Sequence, residues 1–425
     1  MAMTDLQIVT RSLAVRAVST GLTALSVAVA VGLVLVLLTT RDASREAFQR
    51  GTGNMHILAS GDANQMGSVL NSVFYTSIPQ RVVPFETWQR VRTHPLVEWA
   101  LGTVQGDNYK GWPTMGVEPE FFELFQPVDG RALALRAGSF MRPGEAGVMD
   151  VVVGAAAARG TGLKLGDELS ITHGATPEGH VHDEFKFKVV GLLEATGTPH
   201  DRAIFVSAMS KWLVHADDQR QANAARAGAK EHVEPTPENL TPAEKPVTAI
   251  YVRAKRPATI AQLVGVLRND LGLTAAFPSV EVASLFRIVG RVDQVLLGIA
   301  LVVALSSGIS ILLAMYNSMS QRRRQVAILR VLGASPARVF GLVMTEAALV
   351  GILGAAAGVV VAIVGAAGVA RAVEAQTGVT ISPTLDPANV LMVFSGSVLL
   401  AAGAGLLPAL MAYRTSVVAN LRPLG

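Results

Sequence analysis

The chain alternates between stretches with charges at ordinary density and four runs with no charged residue at all: Ala17–Thr40, Gln294–Gln321, Ala347–Ala370 and Pro387–Tyr413. A helix needs about 20 apolar residues to cross a bilayer core, so each run predicts one membrane-spanning helix, in a one-plus-three arrangement. The apolar core of the first run, Leu22–Leu38, is longer than the h-region of a secretory signal, and no small-residue cleavage site precedes Arg41-Asp42. It therefore reads as a retained anchor.

The long polar segment between the first and second runs has a different rhythm. Alternating or β-branched stretches at Met55–Leu58, Val148–Val153, Glu168–Thr172, Phe185–Leu193, Ala203–Val206 and Val247–Val252 predict strands, whereas Phe85–Thr93 and Thr259–Leu271 carry helical apolar spacing. The expectation is an α+β domain large enough for two subdomains. Both its ends read as helices continuing from the spans: Asp42–Arg50 stops at Gly51, and Val282, Leu285, Phe286 and Val289 form an i, i+3, i+4, i+7 stripe. Asp217–Pro246, rich in Ala, Glu, Lys and Pro, predicts a flexible insertion. The organisation is thus residues 1–40 with the first span, residues 41–292 as the inserted domain, and residues 293–425 with the last three spans.

Charge sets the expected orientation, because basic residues stay on the cytoplasmic side of short flanks. Arg11 and Arg16 precede the first span, Arg322, Arg323, Arg324, Arg330 and Arg338 separate the second from the third, and Arg414 and Arg422 follow the fourth. Both termini are expected in the cytoplasm and the inserted domain outside. That domain is nearly balanced in charge, so the net +4 of the chain comes from the flanks and does not point to nucleic acid. With no cysteine in the sequence, the domain must be held by its packed core.

The connector between the second and third spans is the sharpest motif. Val326, Leu329 and Leu332 recur along one side, with Ile328 and Val331 broadening it, while Arg323 and Arg330 share another. Gly333 suits a helix C-cap, and Ser335-Pro336 an N-cap and first-turn proline for the next helix. The residues predict a compact helix at the membrane surface, either a basic anchor at the headgroups or a docking element for a cytoplasmic partner.

The run Ser320-Gln321-Arg322-Arg323-Arg324-Gln325-Val326-Ala327-Ile328-Leu329-Arg330-Val331-Leu332-Gly333-Ala334-Ser335 resembles the signature of FtsX-like permeases of the MacB-type, or type VII, ABC transporter superfamily. The likeness extends to the one-plus-three layout, to Gly154–Asp167 and Phe187–Leu193, and to the ending from Pro408-Ala409 to Arg422. It implies a four-span permease subunit of a bacterial inner membrane with a periplasmic α+β domain. It also implies a coupling helix in which Arg323, Val326, Leu329, Arg330 and Gly333 engage a separate cytoplasmic ATPase. No G-x-x-x-x-G-K-[ST] loop occurs in the sequence, so ATP and Mg²⁺ are expected on that partner chain and this chain is expected to be non-catalytic, with no cofactor of its own. Further partners implied are a second permease chain, expected as a homodimer, a periplasmic adaptor or lipoprotein, and membrane lipid. Cargo would be a lipoprotein, lipid, peptide or other periplasmic substrate moved by mechanotransmission. The same resemblance admits a regulatory scaffold that activates a periplasmic enzyme.

Three smaller features remain. Gly354 and Gly358 form a small-xxx-small pair, read as packing within the chain or as a dimer surface, and Ser306-Ser307-Gly308 marks a polar spot in the second span. Glu346 lies in apolar surroundings and is expected to pair with a nearby arginine at the interface. His173, His180, His182, His200, His215 and His232 fall in one region of the inserted domain. There His180-Val181-His182-Asp183-Glu184 offers imidazoles and carboxylates to zinc, as in a zinc-responsive system, but its spacing fixes no tetrahedral set; solvated loop histidines are the expected reading, and no metal ligand is assigned.

Overall fold

The computed structural model describes residues 4–174, 176, 178–228, 233–377 and 379–414; Arg422 and His232 lie outside them. It divides into two compact units, Met1–Ala43 with Val289–Arg371 and Ser382–Gly425, and Ser44–Ile288 with Ala372–Ile381. The α-helices among the described residues are α1 (Asp5–Val15), α2 (Ala17–Arg50), α3 (Gln65–Ser72), α4 (Phe85–Arg92), α5 (Phe121–Leu124), α6 (Ala155–Thr161), α7 (Ala208–Arg226), α8 (Ile260–Gly265), α9 (Pro278–Val331), α10 (Pro336–Thr377) and α11 (Pro387–Tyr413). The strands are β1 (Ile57–Ser60), β2 (Val97–Tyr109), β3 (Trp112–Val117), β4 (Leu135–Gly138), β5 (Asp150–Val153), β6 (Glu168–Leu169), β7 (Thr172–His173), β8 (Phe187–Leu193), β9 (Ile204–Ser207), β10 (Ala249–Ala254) and β11 (Thr274–Ala276).

In the first unit, α2, α9, α10 and α11 are each long and apolar enough to cross a membrane. Their mutual packing rests on small residues. A side chain at Gly354 or Gly358 would come within 2.6 Å of Val27 Cβ or Val31 Cβ on α2, so this pair lets α10 and α2 approach closely within one chain. Gly351 and Gly405 serve the same purpose between α10 and α11, where an added Cβ would lie 2.6 Å from Ala401 and 2.5 Å from Ala347. Leu35, Ile311, Ala355, Ala362 and Ala401 are fully buried in the resulting core. The hydroxyl of Ser307 on α9 donates to the carbonyl of Ser26 on α2 at 2.9 Å, so the polar spot in the second span is a helix-to-helix tie.

The second unit is built on one sheet in the order β11-β1-β10-β2-β3-β9-β5-β8-β4, with β6 against β8 and β7 against β2. Its organising element is β2. Residues 97–103 pair with β10, residues 104–109 pair with β3, and the register shifts between Val104 and Asp107, where Gly106 has a φ of 140°. The strand thus belongs to two halves with separate cores. Ile57, Trp88, Ile250, Leu263 and Leu267 centre one; Val151, Ile171, Phe187, Ile204 and Val214 centre the other. A third cluster stacks Phe121 on Phe125 at 4.9 Å and sets Phe125 against Tyr251 and His200. His200 is fully buried there, its Nδ1 lies 2.8 Å from the Tyr75 hydroxyl, and burial pushes its pKa down to about 3.

Two expectations change. The strand predicted at Glu168–Thr172 is two short strands, β6 and β7, that pair with different partners. The first third of the insertion predicted to be flexible is helix, since α7 runs to Arg226, and its last part is tied back. Arg220 donates to Glu244 Oε1 at 2.7 Å and Oε2 at 2.9 Å and to Asn239 Oδ1 at 3.1 Å, and these hydrogen bonds hold the Glu244 carboxyl down to about 2. The cause is that alanine-rich sequence favours helix as readily as disorder, and a single bidentate ion pair can anchor a proline-rich return.

The end of α10 and the residues that follow it, Ala372–Ile381, also belong to this unit: Glu374 accepts from Arg159 at 3.0 Å, the Gln376 carbonyl accepts from Arg202, and the Thr380 amide donates to the Gly197 carbonyl at 3.1 Å.

Candidate functional site

The connector is not a separate surface helix. From Ser320 to Leu332 every residue tolerates a helix and none is Gly or Pro, so α9 continues through the arginines without a break. It ends where Gly333 takes a φ of 97°. The Ala334 amide donates to the Leu329 carbonyl at 3.0 Å and the Gly333 amide to the Arg330 carbonyl at 3.1 Å, a Schellman closure. The Ser335 hydroxyl then accepts from the Arg338 amide at 3.2 Å, and α10 starts at Pro336.

This geometry sorts the candidate coupling residues. Arg323 and Gly333 are exposed, and Arg330 is half-buried. Leu329 is half-buried and lines a cavity of about 540 Å³ with Val326, Arg16, Arg322 and Glu346. Val326 is only 7% exposed and packs in the core of its own unit with Met319, Val339 and Val343, which removes it from the surface a partner can touch in this conformation. The apolar surface actually presented is Ile328, Val331 and Leu332, at 45%, 61% and 78% exposure. Helical phase explains this division. Positions 326, 329 and 330 face the neighbouring helices, and 328, 331 and 332 face away.

Behind the connector lies a polar lock. Glu346 on α10 accepts from Arg322 Nη1 at 3.3 Å and from the Ser12 hydroxyl at 3.1 Å, so the expected pairing of this acid is present. Arg16 donates to the Ser318 carbonyl at 3.4 Å and to Gln321 at 3.3 Å, and Arg338 donates to Asp5 at 2.6 Å. These contacts tie α1, the end of α9 and the start of α10 together.

In the inserted domain, the histidines are partly brought together. His182 is fully buried, so it is no solvated loop residue, and its ring lies 5.1 Å from that of His180. Asp183, by contrast, is exposed and pairs with Lys186 at 3.3 Å. The carboxylates that join the cluster come from elsewhere: Asp107 on β2, 3.2 Å from His173 Nδ1, and Asp218 on α7, 3.6 Å from His182 Nε2. Asp107 is also bound by the fully buried Lys211 and lies 3.0 Å from His215 Nε2. His200 lies in the separate aromatic cluster. The only sequence trace of Asp218 was its place one turn after His215 on a helix.

Comparison with known proteins agrees with this architecture. The model of the MacB-like periplasmic core domain matches residues 20–269, and that of the FtsX-like permease C-terminal region matches residues 297–417. No curated protein matches the chain. Among solved structures, the periplasmic region of MacB from Actinobacillus actinomycetemcomitans is similar at 13% identity and a TM-score of 0.33, covering 56% of this chain and 94% of that one. The extracellular domain of the noncanonic ABC-type transporter YknZ from Gram-positive bacteria is similar at 10% identity and a TM-score of 0.29, covering 52% of this chain and 98% of that one. With one model spanning the first anchor and the inserted domain and the other the three remaining spans, the chain belongs to the FtsX-like permeases of the MacB type, a family of multi-pass membrane transporter permeases.

Proposed function

We propose that this permease couples ATP hydrolysis on a separate cytoplasmic ATPase to motion of its periplasmic domain, as one of two identical chains in a bacterial inner membrane. Both termini and the connector face the cytoplasm. The observation that carries the reading is the continuity of α9, a single helix from Pro278 to Val331 whose last turns expose Ile328, Val331 and Leu332 beside Arg323. Force applied at such an end travels along a hydrogen-bonded rod and not through a flexible joint. A partner groove with apolar walls and an acidic rim fits this end, and the Schellman closure at Gly333 keeps the reversal into α10 short. ATP and Mg²⁺ belong to the partner, and the cargo is a lipoprotein, lipid, peptide or similar periplasmic molecule handed to an adaptor without crossing the bilayer.

The test is purification in mild detergent with mass spectrometry of companions, comparing wild type with Leu332→Asp. Leu332 makes a better probe than Leu329 because at 78% exposure its replacement leaves the core intact. An ATP-binding chain that accompanies wild type and is lost from the variant is expected. Retention of that chain by the variant would refute the docking surface. A periplasmic adaptor among the companions marks transport, whereas a hydrolase that needs this protein for activity marks the regulatory role.

A further inference from the structure

The histidine cluster of the periplasmic domain contains one fully buried member. His182 has no exposed surface, and neither of its ring nitrogens has a hydrogen-bond partner among the described residues. Buried polar atoms are nearly always satisfied, so a fully buried imidazole with both nitrogens free points to a missing partner. The nearest acidic oxygens, Asp218 Oδ2 at 3.6 Å from Nε2 and Glu184 Oε1 at 3.5 Å from Nδ1, stand too far off for good hydrogen bonds.

The backbone explains how the cluster forms. The amide of His173 donates to the His180 carbonyl at 2.8 Å and the amide of His182 to the Ile171 carbonyl at 3.0 Å, with Thr172 bridged to Val181. Two extended segments therefore run side by side. Residues two apart on such a segment share a face, which puts His180 and His182 on one side beside His173. Asp218 reaches the same place from α7. One donor atom each from His180, His182 and Asp218 lie within 4.8 Å of one another, as do those of Asp107, His173 and His182.

We propose that His180, His182 and Asp218 bind a first-row transition-metal dication of the Zn²⁺ class, with His173 beside them and oriented by Asp107. Two imidazoles and a carboxylate are the donor set such ions prefer over Mg²⁺ or Ca²⁺. The 3.6 Å between His182 Nε2 and Asp218 Oδ2 is close to the edge of a tetrahedron with bonds of about 2.0–2.1 Å, roughly 3.3 Å. The second triad is the poorer set, because Asp107 is already engaged by Lys211, His173 and His215. Instead Asp107 acts as the carboxylate that fixes a neighbouring imidazole. His180 is exposed, so the ion can enter and exchange, and three protein ligands leave a position open for water or His173. The site stands apart from ATPase docking and survives or fails independently of it.

The experiment uses the full-length protein in detergent, carrying a histidine-free tag and stripped with chelator; the absence of cysteine removes thiol binding as a complication. Zn²⁺ alone is titrated against a chromophoric competitor, and Co²⁺ is used to read coordination geometry by visible absorption. One Zn²⁺ per chain is expected, with affinity reduced at least about tenfold by His180→Ala and by Asp218→Asn and with the tetrahedral Co²⁺ bands lost in both. His173→Ala should have the smaller effect. Absence of stoichiometric binding, or binding indifferent to His180→Ala and Asp218→Asn, would overturn the site. Loss through His173→Ala alone would overturn this ligand set. Both decisive variants lie at partly or fully exposed positions, so wild-type thermal unfolding without metal serves as their folding control.

Discussion

At the scale of single residues, burial decides which titrations matter. His200 has its pKa pushed down to about 3, so between there and the ordinary value near 6.5 the unfolded chain binds the extra proton and the folded one does not. Stability contributed at His200 is therefore complete above about pH 6.5 and falls as the pH drops, by up to about 1.4 kcal/mol per pH unit. Thermal unfolding of the detergent-solubilised protein should fall more steeply from pH 6.5 to 4 in wild type than in His200→Gln. Equal slopes would mean that His200 is not the titrating group. Lys211 offers a second residue-scale test. It and Asp107 are both wholly buried, so Lys211→Met leaves that carboxylate with only His173 and His215 beside it and should cost up to about 3–5 kcal/mol, read as a lowered unfolding midpoint. None of these partners was legible in the sequence, because Asp107 and Lys211 lie far apart along the chain and a buried ion pair leaves no local pattern.

Elements were far more legible, and for a physical reason. A membrane span must satisfy its backbone internally and show apolar residues continuously, so charge-free runs reveal it directly. The four runs coincide with α2, α9, α10 and α11. Cap chemistry was equally readable at Gly333 and Ser335. What periodicity could not show was that the connector belongs to α9, since an apolar stripe looks the same on an isolated helix as on the end of a long one. It also missed β2, where a continuous buried run from Trp99 to Gln105 takes in both faces and so lacks simple alternation. Packing at Gly354 predicts that Gly354→Leu lowers the unfolding midpoint strongly, whereas Gly368→Leu, with no atom within 4 Å of the added Cβ, should leave it nearly unchanged. Similar effects from the two would contradict the α2–α10 contact. For the returned insertion, Arg220→Ala should raise amide exchange across residues 233–246 without shifting the global midpoint, because its bonds anchor that segment alone.

For the whole molecule, the family places a periplasmic core domain between one anchor and three spans, and three segments of the chain link the membrane-capable helices to that domain: the end of α2, the start of α9, and Ala372–Ile381 at and beyond the end of α10. Two of the links are uninterrupted helix and the third is pinned by Arg159 and Arg202. The candidate coupling surface was legible in the sequence as a motif, but its facing was not: which side of α9 meets a partner depends on helices that join it only in the folded unit. Whether ATP hydrolysis moves the periplasmic domain can be read from spin-label distances. The cysteine-free chain allows a single exposed label at Ala132→Cys in each of two copies, reconstituted with the ATPase in lipid nanodiscs. The distance distribution between the two labels should shift when ATP and Mg²⁺ are added and return after hydrolysis; an unchanged distribution while ATP is being hydrolysed would rule out such coupling.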